Sequence, residues 1–316
     1  MTLVLDKKDP VKNKIYQNLL AEIADMYETP MGAYNFRADG QGVQKNTTAN
    51  IDIVTKTDKP GIDIIIKANT KNESVHIPVV ISQSGLSDMV YNDFYIGENA
   101  DITIIAGCAI HNTGDSDSTH DGIHSFFLEK NAKVKYVEKH YGEGEGAGSR
   151  NLNPKTIIHM KEGSYMEMDS FQIQGVDYTK RDTEAQLEDK AILIVNEKIM
   201  TGKKQYAETY FHVDLNGQDS STHIVSRSVA KDNSKQVFLS KLNGNNRCNG
   251  HTECDAIIMD KAVVTAIPEV TSNHVDASLI HEAVIGKIAG EQLNKLMTLG
   301  LSEEEAEANI ISGFMR

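Results

Sequence analysis

Lys130-Asn131-Ala132-Lys133-Val134-Lys135-Tyr136 is a polar turn followed by a strand whose side chains alternate in polarity. The same design stands upstream as Glu98-Asn99-Ala100-Asp101-Ile102-Thr103-Ile104 and downstream as Glu162-Gly163-Ser164-Tyr165-Met166-Glu167-Met168. Asn99, Asn131 and Gly163 hold the same place in each, so the interval is 32 residues both times. Asp232-Asn233-Ser234-Lys235-Gln236-Val237-Phe238 and Asp260-Lys261-Ala262-Val263-Val264 continue it at looser spacing. Repeats of this length point to a solenoid or a propeller. Short strands with polar turns point to a β-helix, in which each coil buries its inward side chains against the next. Hairpins of a β-sandwich are the alternative.

Outward from this core the period stays at two. Ile51-Asp-Ile-Val and Ile62-Asp-Ile-Ile-Ile are short and β-branched. No convincing amphipathic helix lies between about residues 49 and 267. A doubly wound α/β fold needs helical crossovers and is disfavoured. The ends change period. Asp9 and Pro10 read as a helix start, and Val11, Ile15, Leu19 and Ile23 recur every four residues toward a stop near Thr29-Pro30. Ser278 reads as the cap of a helix carrying Leu279, Ile280, Ala283, Val284 and Ile288, with His281 and Glu282 on it. Leu293, Leu296 and Met297 form a second helical stripe, closed by Gly300. Ser302 and Glu305 are spaced as a capping box opening a third. The expected division is 1–48 N-terminal helical, 49–268 β-helix and 269–316 C-terminal helical. Tyr141-Gly-Glu-Gly-Glu-Gly-Ala-Gly-Ser149 lacks the lysine of a phosphate loop and reads as a mobile surface loop.

The chain has 316 residues and a net charge of −13, which repels phosphate backbones and anionic lipid, so neither nucleic acid nor membrane is expected as a partner. No long apolar run or signal-peptide pattern is present, and the expected compartment is the cytoplasm. Three cysteines, Cys108, Cys248 and Cys254, argue against a disulfide framework.

The richest cluster is Arg247-Cys248-Asn249-Gly250-His251-Thr252-Glu253-Cys254-Asp255. Thiolate and imidazole suit iron, zinc or copper. The Cys-x5-Cys spacing fits no tetrahedral zinc motif, and one loop cannot supply four thiolates, so a cluster here needs a second chain or mixed ligands. A cysteine can equally be a small buried hydrophobe. His111, His120 and His124 lie near Asp115, Asp117 and Asp121 but lack an H-E-x-x-H pattern.

The C-terminal run Leu279-Ile-His281-Glu282-Ala283, Glu291-Gln-Leu293, Gly300-Leu-Ser302 and Ile311-Ser-Gly313-Phe314 resembles the close of SufB and SufD proteins. Thr252-Glu253-Cys254-Asp255 resembles a SufB Thr-x-Cys-Asp motif. The resemblance covers roughly residues 90 to 316. It implies a mainly β fold, a right-handed parallel β-helix with N- and C-terminal α-helical segments. It implies an iron–sulfur cluster assembly scaffold rather than an enzyme, carrying a transient iron–sulfur cluster. Its partners would be a SufC-like ABC-type ATPase on the C-terminal helices, a sulfur donor protein, and a second copy of the chain or a SufD-like subunit. Cys254 and Glu282 carry over as cluster ligands, with His281, Cys248 and His251 as possible additional metal ligands. SufB proteins also hold a sulfur-receiving cysteine inside the β-helix, which the resemblance leaves unassigned among the three thiols. The chain reads as a minimal subunit able to pair with itself, one Cys254 and one Glu282 per chain becoming two of each. The rival classes are a β-helix enzyme acting on carbohydrate, disfavoured by charge and the few aromatics, and a structural regulator of an ATPase.

Overall fold

The computed structural model describes residues 14–26 and 28–315, with the side chain of Ile173 set aside. The expected start at Asp9, Pro10 and Val11 lies outside the described residues. Helix α1 spans Lys14–Ala24 and buries Tyr16, Leu19, Leu20 and Ile23. It stops before Thr29 because Asp25 takes a left-handed φ of 51°, turning the chain after the last helical bonds.

Twenty strands follow among the described residues. The first are β1 (Ala33–Ala38), β2 (Gln41–Asn46), β3 (Ile51–Thr55), β4 (Gly61–Ile66), β5 (Lys71–Ile81), β6 (Ser87–Ile96) and β7 (Asp101–His111). The chain continues with β8 (Ser118–Leu128), β9 (Lys133–Glu143), β10 (Arg150–Leu152), β11 (Lys155–Met160), β12 (Tyr165–Gln174), β13 (Tyr178–Leu187) and β14 (Ile192–Thr201). The last are β15 (Tyr206–Leu215), β16 (Ser220–Ala230), β17 (Lys235–Gly244), β18 (Cys248–Ile258), β19 (Val263–Ser272) and β20 (Ala277–Gly286). Helices α2 (Gly290–Thr298) and α3 (Glu303–Phe314) close the described chain, and Ser302 with Glu305 forms the expected capping box.

The strands build two sheets, ordered β2-β1-β5-β7-β9-β12-β14-β16-β18-β20 and β19-β17-β15-β13-β10-β8-β6-β4-β3, with β11 beside β10 between β8 and β13. Successive coils add one strand to each, and neighbours are parallel except the β1/β2 and β3/β4 hairpins. This is a parallel β-helix. The repeat in the sequence is its turn: Asn99 and Asn131 sit at φ 57° and Gly163 at 67°, a conformation that Asn and Gly adopt at low cost. The asparagines also ladder, Asn131 Nδ2 donating to Asn99 Oδ1 at 3.3 Å. Alternation along each strand fills the interior. Phe94 and Phe126 stack there at 4.4 Å, and Tyr136 meets Phe126 edge-on at 5.0 Å. Each such buried ring contributes about 1.5–3 kcal/mol.

Three expectations change. His281 and Glu282 lie on strand β20, not on a helix. Ile280 and Val284 suggested a helical stripe, but four residues are also two strand periods, and the ladder to β18 decided between them. The strands therefore run past residue 268 to Gly286, and β1 and β2 already lie within the first 48 residues. The glycine-rich stretch is a packed coil turn rather than a free loop. Gly148 donates its N–H to Gly114 O at 3.0 Å, and a Cβ at 148 would stand 2.1 Å from Ser116 O, so these glycines permit backbone stacking.

Strand β20 is the edge of its sheet, with β18 as its strand neighbour, and β19 ends the other sheet. That end of the helix exposes Ile267, Val270, Ile280 and Val284, the last at 70%. An open apolar edge of this kind is a surface for pairing with another chain.

Candidate functional site

Inside the β-helix the apolar filling gives way to charge. β9 turns Tyr136, Glu138 and His140 inward; β8 turns His120 and His124; β13 contributes Arg181 and β14 Glu197, all nearly fully buried. Arg181 Nη1 donates to Glu138 Oε2 at 2.5 Å, its Nε lies 3.6 Å from Glu197 Oε1, and Nη2 lies 3.3 Å from His140 Nδ1. Tyr136 donates to Glu138 at 3.0 Å, while Ser226 and Thr209 donate to Glu197 at 2.7 and 3.0 Å. Burial opposes ionisation of Glu138, yet the charges of Arg181 and His140 hold it well below the usual carboxylate range. For Glu197 burial wins and the pKa is raised. Burying ions is expensive, and an apolar core of the same volume is commonly as stable or more so. A cluster of displaced titrations in a packed interior therefore points to function.

Cys108 belongs to this cluster. It sits on β7 as the ladder partner of His140. Burial alone would raise its pKa, but His120 and then His140 outweigh it and bring it down to about 7. His120 in turn is pushed up to about 10, the burial penalty being overcome by the Cys108 charge and by Asp88. The opposed shifts bring the thiolate–imidazolium form of the pair within reach near neutral pH, the form in which a cysteine is nucleophilic. The sequence displayed Cys108 as a lone cysteine, and His120 beside aspartates of its own loop. Of the partners of Cys108, His140 stands one coil away on β9 and His120 in the opposite sheet on β8, a pairing that appears only once the coil is wound.

Cys254 ends the same interior. Glu138, Ser170, Glu197, Ser226 and Cys254 are successive ladder partners across β9, β12, β14, β16 and β18. At about 4.8 Å per strand the row spans about 19 Å. Cys254 is buried and shares a small cavity wall with Glu197. Burial first, then the Glu197 and Asp255 carboxylates, push its pKa up to about 12, so it rests as a thiol. Cys248 is likewise inward and raised by burial. His281 faces inward from β20, its Nδ1 2.6 Å from Thr252 Oγ1.

The other two candidates lie on the outer face. His251 stacks on His223 with centroids 4.8 Å apart. Its Nε2 is 3.8 Å from Glu282 Oε2, beyond hydrogen-bond range, and Glu282 is exposed. The structure thus groups Cys254, Cys248 and His281 on the inner face, and His251 with Glu282 on the outer one. Cys254 pairs in register with Ala283, and its neighbour Glu253 with Glu282, so Cys254 and Glu282 point to opposite sides of one sheet. Among the described residues, no three His, Cys, Asp or Glu side chains stand ready to hold a metal ion. No helix among them is long and apolar enough to cross a membrane.

The fold and site define a class: a parallel β-helix with a thiol-bearing polar interior and an open apolar end. Residues 81–314 match the family described as SUF system FeS cluster assembly, SufBD core domain. An iron–sulfur cluster assembly SufBD family protein of Archaeoglobus fulgidus is 30% identical over 228 residues, 72% of this chain and 60% of that protein. One from Methanocaldococcus jannaschii is 28% identical over 256 residues, 80% of this chain and 79% of its own length. One from Pyrococcus horikoshii is 24% identical over 313 residues, 98% and 91% of the two chains. The chain spans less than two thirds of the Archaeoglobus protein and of a Methanothermobacter thermautotrophicus relative matched over 57% of its length. The chain belongs to the SufBD family of iron–sulfur cluster assembly proteins.

Proposed function

We propose that this chain is a scaffold subunit on which an iron–sulfur cluster is built, with sulfur received at Cys108 and the cluster held at Cys254. The observation that carries this reading is the polar row from Glu138 to Cys254, with Cys108 standing at its head as the ladder partner of His140. The Cys108 thiolate attacks the outer sulfur of a donor persulfide, R–S–SH. A bond forms between Sγ and that outer sulfur, the donor's S–S bond breaks, and the donor leaves as the thiolate R–S⁻ while Cys108 becomes the persulfide. The sulfur donor is a protein able to present that persulfide at the β-helix wall.

Cys254 lies inward beneath the edge strand β20, with Cys248 and His281 on the same face as further candidate ligands. When two copies pair at the apolar end, Glu282 and His251 of the second copy reach the cluster from outside; in a mixed pair a SufD-like subunit takes that place with its own side chains. A SufC-like ABC-type ATPase docks on α2 and α3. Only residues 287–289 separate β20 from α2, so force on the helices reaches the strand over Cys254. The cytoplasm is the fitting compartment, since all three cysteines are free.

Anaerobic reconstitution with ferrous iron and sulfide, followed by absorption spectroscopy, tests the scaffold reading. Wild type acquires charge-transfer bands and Cys254→Ala loses them. A Cys254→Ala protein that binds as much cluster as wild type, or a wild type that binds none with its paired subunit present, rejects it.

A further inference from the structure

Cys108 owes its character to groups beyond the two histidines. Asp88 on β6 and His120 on β8 are ladder partners, so carboxylate and imidazole leave the sheet side by side, with His120 Nδ1 3.2 Å from Asp88 Oδ2. Arg37, from β1 in the opposite sheet, grips that carboxylate with both prongs, Nε to Oδ2 at 2.9 Å and Nη2 to Oδ1 at 2.6 Å. The fork crosses from one sheet to the other and fixes the aspartate in the plane that orients the ring. His120 Nε2 is buried and finds no oxygen or nitrogen partner. A buried donor without an acceptor is costly unless something anionic faces it. With Nδ1 taken by Asp88, Nε2 is the ring atom left for the Cys108 thiol, whose charge is the largest influence holding the ring protonated. Two residues along β8, Gly122 lies between two imidazoles: a Cβ there would stand 3.4 Å from His120 Nε2 and 3.5 Å from His124 Nε2.

We propose that Asp88, clamped by Arg37, is a positioning residue for Cys108: it fixes the His120 ring with Nδ1 on its own carboxylate and Nε2 left for the Cys108 sulfur. The inference rests on the reading of Cys108 as the sulfur-receiving thiol. Five other groups share the neighbourhood, the first being His124 on the same strand, pushed down to about 4 mainly by burial. His140 faces Cys108 from β9 and is itself held by Glu138 and Arg181, and Tyr136 lies at the same end of the interior. His140 therefore retains part of the effect when Asp88 is removed, and the expected change is partial.

The test uses Cys248→Ser/Cys254→Ser protein, in which Cys108 is the remaining thiol. Ultraviolet thiolate absorbance and the rate of methyl methanethiosulfonate labelling are followed against pH. With Asp88 intact, Cys108 half-ionises near neutrality. Asp88→Asn moves the midpoint upward and slows labelling at neutral pH roughly 10-fold. Asp88→Glu restores most of the rate, which a general loss of packing would not allow. Arg37→Met gives a smaller shift of the same sign and carries the test if Asp88→Asn does not fold. An unchanged profile in Asp88→Asn, or in Arg37→Met where that variant stands in, overturns the inference. Loading with glutathione persulfide, read by mass spectrometry, separates the two proposals. If the profile moves with Asp88 but Cys108 takes up no sulfur in any form of the protein, the positioning role stands and the sulfur-receiving role falls.

Discussion

Arg181→Met removes the one arginine that both Glu138 and Glu197 approach. Methionine keeps much of the volume and none of the charge. Arg181 and Glu138 are 3% and 2% exposed, so water cannot replace the lost partner. Breaking a buried pair from one side costs about 3–5 kcal/mol, a large part of the 5–15 kcal/mol that holds a typical domain together. The sign with pH follows from Glu138. In wild type its folded-state pKa lies below the unfolded value of about 4.3, so the pair's contribution is present above that pH and is lost as pH falls through the folded pKa. Without Arg181 burial dominates and the folded pKa rises above the unfolded one. The variant is then penalised more as pH climbs from about 4 to 7. Urea unfolding followed by circular dichroism at mildly acidic and neutral pH reads both numbers. The deficit should be larger at neutral pH, and Arg181→Met/Glu138→Gln should recover most of it. A deficit below about 1 kcal/mol, or one that ignores both pH and the second substitution, refutes the account of this interior as a charge-compensated network.

Three more outcomes are expected. At neutral pH methyl methanethiosulfonate should modify Cys108 well before Cys254, because thiols held near about 7 and about 12 differ by several orders of magnitude in thiolate; peptide mapping that finds Cys254 modified first contradicts this. Asn131→Val should lower stability by roughly 1–2 kcal/mol, since a β-branched residue must take up φ 57°, whereas Asn131→Gly should cost little by the same urea midpoint measurement. Amide hydrogen exchange should be faster in β20 than in β16, which is paired on both sides; equal protection would mean that the edge strand is not the loose element.

The architecture was legible because a solenoid writes its turn into the sequence at a fixed interval. Asn99, Asn131 and Gly163 are the left-handed residues of successive turns, and their spacing alone points to stacked coils. The extent of the coils was harder to see. In β20 the apolar residues Ile280 and Val284 stand four apart, a spacing shared by helices and strands, and only a neighbour strand resolves it. The candidate site was half legible. Cys254 and Glu282 stand out as residue types in a motif, but the sheet face each occupies depends on register. The interior row was out of sight, because 138, 170, 197, 226 and 254 are separated by 27 to 32 residues and align only after each coil is wound. A buried arginine or glutamate looks in sequence like any solvated charge.

The two thiols differ in what they need before they can react. Cys108 is drawn toward the thiolate near neutral pH by histidines that are part of the fold, so its activation needs no change of partners. Cys254 is held as a thiol mainly by burial. Iron binds thiolate, and ligation releases the proton. Lifting β20 would let water reach Cys254, remove the largest contribution to its high pKa and generate the ligand in the same motion. The same displacement would end the separation of Cys254 and Glu282 onto opposite faces, since that separation exists only while β20 stays in register with β18. On this view the strand that hides the thiol and the strand that carries the glutamate are the same element, tied by residues 287–289 to the helices on which an ATPase would act. Cluster building at Cys254 would therefore follow the partner's motion, while sulfur acceptance at Cys108 would not depend on it.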